Sequence, residues 1–223
     1  MRDCIDVLQK CPLFAGVRAD HIRAMLGCLN ARTTDVARGE PILLEDSPAE
    51  SVGIVLEGEA QVVRDDFYGN RAIQAVLAPG DLFGETFACA GVARMPVTVE
   101  ASQPGRVMLI HLRRITETCT SACEFHNRVV LNLLKALAAK NLRLNQKLEI
   151  TSRRTTRDKL MAYLMAEARQ AGSDRFTIPL DRQGLADYLG VERSALSAEI
   201  GRLRREGVLE SQRSSFRLLR AQP

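Results

Sequence analysis

From Val36 to Ile110 apolar and polar residues alternate in short runs broken by turn-forming residues. Val52, Ile54 and Leu56 alternate with Gly53, Val55 and Glu57, and Ala60 and Val62 resume the pattern after Glu57-Gly58-Glu59. A period of two marks a strand with one buried face, and the interrupting glycine predicts a hairpin turn. Ile73, Ala75 and Leu77 alternate before Pro79-Gly80-Asp81, as do Val97, Val99 and Ala101 before Gln103-Pro104-Gly105, and Val107 to Ile110 closes the series. Many short strands at this spacing predict a jelly-roll or barrel-like domain. Ahead of it, apolar residues at 22, 25, 26 and 29 predict a helix packed against the roll.

After Ile110 the period changes. Val130, Leu134, Leu137, Asn141, Leu144 and Leu148 follow one another at intervals of four and three, the seam of a two-stranded coiled coil. Asn141, its one polar member, can bond its symmetry mate and set register. Val129, Leu133 and Leu142 form a second apolar flank, expected to face the helix's own domain. A helix packed only on that domain, with Asn141 in solvent, is the alternative.

Thr151-Ser152-Arg153-Arg154-Thr155-Thr156 interrupts the pattern, and Arg157 to Ala171 reads as another amphipathic helix stopped by Gly172. In RQGLADYLGVERSALSAEI, residues 182–200, Leu185, Ala186 and Leu189 mark the inner face of a short helix, Gly190 permits a tight turn, and Leu196 and Ile200 anchor a second helix. This pattern predicts a helix-turn-helix. Val208-Leu209 and Phe216 to Leu219 then predict two strands of a wing, turning through Gln212 to Ser214.

The exposed face of the second helix presents Arg193, Ser194 and Ser197, residue types that hydrogen-bond base edges or phosphates. Arg182 and Gln183, at the start of the first helix, are candidates for holding a phosphate. The alternative is a helical hairpin with no nucleic-acid role. Charge favours an anionic partner here: residues 151–223 carry 14 Lys and Arg against 9 Asp and Glu, whereas residues 1–150 carry 17 against 18.

With 223 residues, 46% of them hydrophobic, the chain can bury two small cores. Asp3, Asp6 and Lys10 interrupt the opening residues, so neither a signal peptide nor a membrane span is expected there, and the expected location is the cytoplasm. The expected class is α+β, with residues 1–122 a β-roll sensor, 123–150 a dimerisation helix and 151–223 a winged helix-turn-helix.

These motifs in this order resemble the family of the cyclic-AMP receptor protein and the fumarate-nitrate reduction regulator. The resemblance rests on CPLF at 11–14, PGDLFGE at 79–85, the long helix, and RQGLADYLGVERSALS at 182–197. It implies a cyclic-nucleotide-binding-type roll and a homodimer on partly palindromic double-stranded DNA, with half-sites about 34 Å apart. It further implies contact with RNA polymerase and control by a small effector. Gly84 and Glu85 match the Gly-Glu pair of the effector pocket, but Arg94-Met95-Pro96 stands where nucleotide-binding members carry Arg-Ser or Arg-Thr. Met95 replaces the arginine, and Pro96 has neither hydroxyl nor N–H, so cyclic AMP is not the expected effector. Ser194 and Ala198 also depart from the usual recognition face, which puts the family's usual target sequence in doubt.

Six cysteines, at 4, 11, 28, 89, 119 and 123, are too dispersed for a disulfide framework. Cys119, Cys123 and His126 share one face if that segment is helical, and with Cys89 could ligate a metal or an iron-sulfur cluster. Free buried thiols are the alternative. The family's iron-sulfur member uses a close N-terminal cluster that Cys4, Cys11 and Cys28 do not reproduce, while His21, His111 and His126 leave haem open. The histidines are scattered, and no nucleophile elbow, P-loop or dinucleotide fingerprint is present, so catalysis is not expected. A regulatory subunit acting on a protein partner without DNA is the competing reading.

Overall fold

Two long antiparallel strands organise the N-terminal half. The computed structural model describes residues 4–65, 71–117 and 124–219, which divide into two compact units, 1–140 and 141–223. In the first unit, helices α1 (Cys4–Lys10) and α2 (Ala19–Cys28) precede β1 (Arg32–Val36), β2 (Pro41–Leu43), β3 (Ser51–Asp65), β4 (Arg71–Leu77) and β5 (Leu82–Phe83). A short helix α3 (Glu85–Cys89), β6 (Thr98–His111) and α4 (Leu112–Thr116) follow. The sheet path is β1-β6-β3-β4, all antiparallel, with β2 also on β6 and β5 also on β3.

The turn expected at Glu57-Gly58-Glu59 is instead a bulge within a continuous β3. Gly58 has φ +77°, and a Cβ there would strike the Pro104 carbonyl; the register against β6 shifts on both sides of it. The turn expected at Gln103-Pro104-Gly105 likewise lies inside β6. The two turn-like stretches face each other, so the paired strands bend together rather than reverse. The extra residue also flips side-chain parity. Val52, Ile54 and Leu56 face the N-terminal helices, Val55 faces the roll interior, and beyond the bulge the even-numbered Ala60 points inward too.

Only Leu77 of β4 is buried, whereas Ile73 and Val76 are exposed. The alternation read there does not become a buried face because β4 is an edge strand of the sheet path.

The long helix α5 (Glu124–Thr151) packs Val129 and Leu133 into a core with Ile5, Leu8, Met25, Ile54 and Ile110. Each such side chain removed from water is worth about 1.5–3 kcal/mol. The second unit contains α6 (Thr156–Ala171), β7 (Arg175–Thr177), α7 (Arg182–Leu189), α8 (Arg193–Arg205), β8 (Leu209–Gln212) and β9 (Ser215–Leu218). Its sheet order is β7-β9-β8, so the expected two-stranded wing gains a third strand. Ile150 of α5, Leu160 and Leu164 of α6, and Phe216 of β9 share a core with α7 and α8. No helix among the described residues is long and apolar enough to cross a membrane.

Candidate nucleic-acid interface and sensor pocket

In the helix-turn-helix, Asp181 caps α7 by accepting the Gly184 N–H at 2.7 Å. Gly190 ends the helix at φ +60°, a left-handed position that glycine adopts at little cost. Leu185, Ala186 and Leu189 of α7 are fully buried, as are Leu196 and Leu203 of α8. Burial of that side of α8 leaves Arg193, Ser194 and Ser197 exposed on the other. Among the described residues none of the three has a hydrogen-bond or ion-pair partner. Three donors at i, i+1 and i+4, presented along a helix, suit hydrogen bonding in a major groove.

Arg157 at the start of α6 ties down the middle of α8 and its C-terminal end. It pairs with Glu206, just beyond α8, at 2.7 Å and with buried Glu199 at 3.7 Å, while Arg202 donates to Glu199 at 3.0 Å. The Arg157 hydrogen bond keeps the Glu206 carboxyl below its ordinary pKa. The Glu199–Arg202 spacing is visible in sequence, but Arg157 joins only through the fold.

The start of α7 is less open. Arg182 lies over the Phe216 ring, 5.0 Å from its centre, and Nη2 donates to Ser211 Oγ at 3.4 Å. Its buried Nη1 has no partner among the described residues. Burial, and then the Arg204 charge, lower its pKa from the ordinary value. Gln183 is exposed and donates to Asp187 at 2.9 Å. Arg182, Arg204 and the wing thus form one cationic corner, which also carries Arg175 beside a cavity of about 650 Å³.

The residues expected to form the effector pocket face different neighbours. Gly84 has φ +76°, and a Cβ there would lie 2.7 Å from the Ser51 carbonyl, so the chain turns there only with glycine. Glu85, 1% exposed, pairs with Lys140 of α5. Lys140 also donates to the Leu82 carbonyl at 3.3 Å. Arg94 is exposed and donates to the Asp46 carbonyl at 2.6 Å. Met95, 1% exposed, fills the roll interior with Val55, Phe83, Val97 and Val107, and its N–H donates to the Ser47 carbonyl at 2.8 Å. A cyclic phosphate needs a cation and free donors inside the roll, and a thioether stands there instead. These residues do not fit that ligand.

Along the α5 seam, Val130 and Leu137 are partly buried against the roll core, whereas Leu134, Leu144 and Leu148 are 58%, 67% and 66% exposed. Asn141 is exposed and accepts from Asn145 at 3.2 Å. Leu142, expected to face the helix's own domain, is 70% exposed. Of that flank, Val129 and Leu133 are buried in the core of the first unit.

Of the proposed metal ligands, Cys119 and Cys123 lie outside the described residues. His126 is buried and its Nε2–H donates to the Ile115 carbonyl at 2.9 Å. Cys89 is exposed; partial burial and the nearby Glu85 charge raise its thiol pKa. Burial pushes the Cys11 thiol up to about 11, leaving it protonated at neutral pH. Cys4 and Cys28 are free thiols. His111 meets Glu50 at 3.0 Å and His21 stacks on Phe125. Among the described residues no group of three or more His, Cys, Asp or Glu side chains is placed to hold a metal ion.

Comparison with known proteins gives matches in both units. Residues 33–121 match the cyclic nucleotide-binding domain, and residues 158–222 match the Crp-like helix-turn-helix domain. The nitrogen fixation regulation protein FixK of Azorhizobium caulinodans is 27% identical over 192 residues, which make up 82% of this chain and 73% of that protein. Two solved structures share the fold. The c-di-GMP responsive global regulator CLP of Xanthomonas campestris has a TM-score of 0.56 at 15% identity, covering 92% of this chain and all of that one. DNR from Pseudomonas aeruginosa has a TM-score of 0.51 at 19% identity, covering 99% and 95%.

Proposed function

The chain belongs to the Crp/Fnr family of DNA-binding transcription regulators, and on that premise we propose that it works as a homodimer reading a partly palindromic site through Arg193, Ser194 and Ser197. The observation that carries this reading is the face of α8, where three donors stand exposed and, among the described residues, unpartnered while Leu196, Ile200 and Leu203 anchor the opposite side. Arg182 and Gln183 add phosphate contacts at the start of α7, which position the protein without reading sequence. Exposed Leu134, Leu144 and Leu148 pair the two copies, with Asn141 setting the register.

The protein acts by binding in the cytoplasm, bringing its dimer to RNA polymerase at a promoter. Its effector is a small molecule other than a cyclic nucleotide, because Met95 and the outward Arg94 leave the roll interior without a phosphate partner.

The test is selection from a random-sequence duplex library with the purified chain. The expected product is a motif with two half-sites about one helical turn apart, lost when Arg193 and Ser197 are both changed to alanine. Equal recovery of all sequences by the wild-type and altered chains would overturn it.

A further inference from the structure

Outside the roll, α2 and the β1–β6 pair border an open cavity of about 590 Å³ that none of the preceding roles uses. Its size falls in the usual range for a small-ligand site. On the helix side, Arg23, Leu26 and Gly27 stand at i, i+3 and i+4 and so share one face. On the strand side, Arg106 and Met108 are two residues apart on β6 and share a face, with Thr33 paired directly opposite Met108. Ile5 of α1 closes the apolar part.

The lining is mostly apolar, with two guanidinium groups. Asp35 bonds Nε of Arg106 at 2.6 Å and so compensates that charge from one side. Arg23 makes no hydrogen bond or ion pair among the described residues. A cation without a partner at the rim of an apolar cavity fits a ligand with one negative head and a hydrocarbon body.

We propose that this cavity binds an amphipathic monocarboxylate of medium chain length, its head on Arg23 and Arg106 and its tail along Leu26 and Met108. Occupancy reaches α5. Ile5 and Met108 belong to the same packed core as Val129 and Leu133, and a close-packed core passes on displacement because it has little free space. The site is therefore placed to alter the helix whose distal half carries the exposed leucines.

Gly27 supplies a clean test. It lines the cavity, sits in a helix without a positive φ, and a Cβ there meets nothing within 4 Å. A side chain at this position enters the cavity and leaves the helix intact.

The experiment is calorimetric titration of the intact protein with octanoate, kept below its micelle-forming concentration, alongside octanol and acetate. The expected result is saturable one-to-one binding of octanoate, with octanol and acetate each at least tenfold weaker. Gly27→Phe is expected to abolish binding with its melting temperature retained, and Arg23→Leu to weaken it about tenfold. Hydrogen exchange should slow with octanoate in α1, α2 and the first turns of α5. Equal binding of octanol would overturn the carboxylate assignment, unchanged binding by Gly27→Phe would overturn the location, and unchanged exchange in α5 would overturn the coupling. Failure of octanoate to bind would overturn the proposal as a whole. None of these readouts requires DNA, so they stand apart from the DNA-binding assignment.

Discussion

The exposed face of α8 and the interior of the roll use polar groups in opposite ways. On α8, Arg193, Ser194 and Ser197 are exposed and have no internal partner among the described residues. In the roll, the polar groups at the expected pocket are already engaged: Glu85 with Lys140, Arg94 with the Asp46 carbonyl, and the Met95 N–H with Ser47. A binding surface keeps donors available, and water satisfies them until a ligand arrives. A filled interior must satisfy its polar groups internally, because an orphaned buried group costs about 1–3 kcal/mol. The contrast locates the open chemistry on the second unit's helix and, in the first unit, outside the roll rather than within it.

The largest expected effect breaks the internal satisfaction of the roll. Lys140→Met leaves Glu85 buried without its cation. Discounted for the partial exposure of Lys140, the loss should be about 2 kcal/mol of stability, read by chemical denaturation. Adding Glu85→Gln to Lys140→Met should recover most of it, whereas an unchanged midpoint in Lys140→Met would mean that the pair contributes nothing.

A comparable or smaller effect sharpens the other half of the contrast. Arg193→Ala should cost about 1–3 kcal/mol of DNA binding at one base position and leave the melting temperature unchanged. Arg182→Ala should weaken binding evenly across sequences and also lower the melting temperature, because Arg182 packs on Phe216. Equal sequence profiles for the two variants in a competition assay would remove the distinction between reading and positioning.

The smallest effect is electrostatic. Glu206 has a depressed folded-state pKa, so its ion pair with Arg157 favours the fold at neutral pH; that contribution fades as pH falls below the ordinary carboxylate value and through the lowered one. Glu206→Gln should therefore flatten the acid limb of stability against pH between about 5 and 3. An unchanged acid limb would show that Arg157 holds α8 through Glu199 alone.

Much of the second unit was legible because its signals are local. The 3.6-residue periodicity, Gly172 and Gly190 just past helix ends, and the Leu-Ala-Leu inner face are carried by residues a few positions apart, and the helices follow them closely. In the roll the same local logic misled at Gly58 and Pro104-Gly105. A glycine permits a turn and a bulge equally, and only the partner strand decides between them.

The succession of roll, long helix and helix-turn-helix, the inner face of α8, and the lack of an arginine and a hydroxyl after Arg94 could all be read along the chain. These depend on periodicity and on residue chemistry at adjacent positions. Folding was needed to show that Met95 fills the roll interior, that Glu85 reaches 55 residues along the chain to Lys140, and that Arg182 turns onto the wing. The same holds for the gathering of Arg23 and Arg106 around one apolar cavity. Each brings together residues distant in sequence, and no local pattern encodes which distant side chain will arrive to fill a space or compensate a charge.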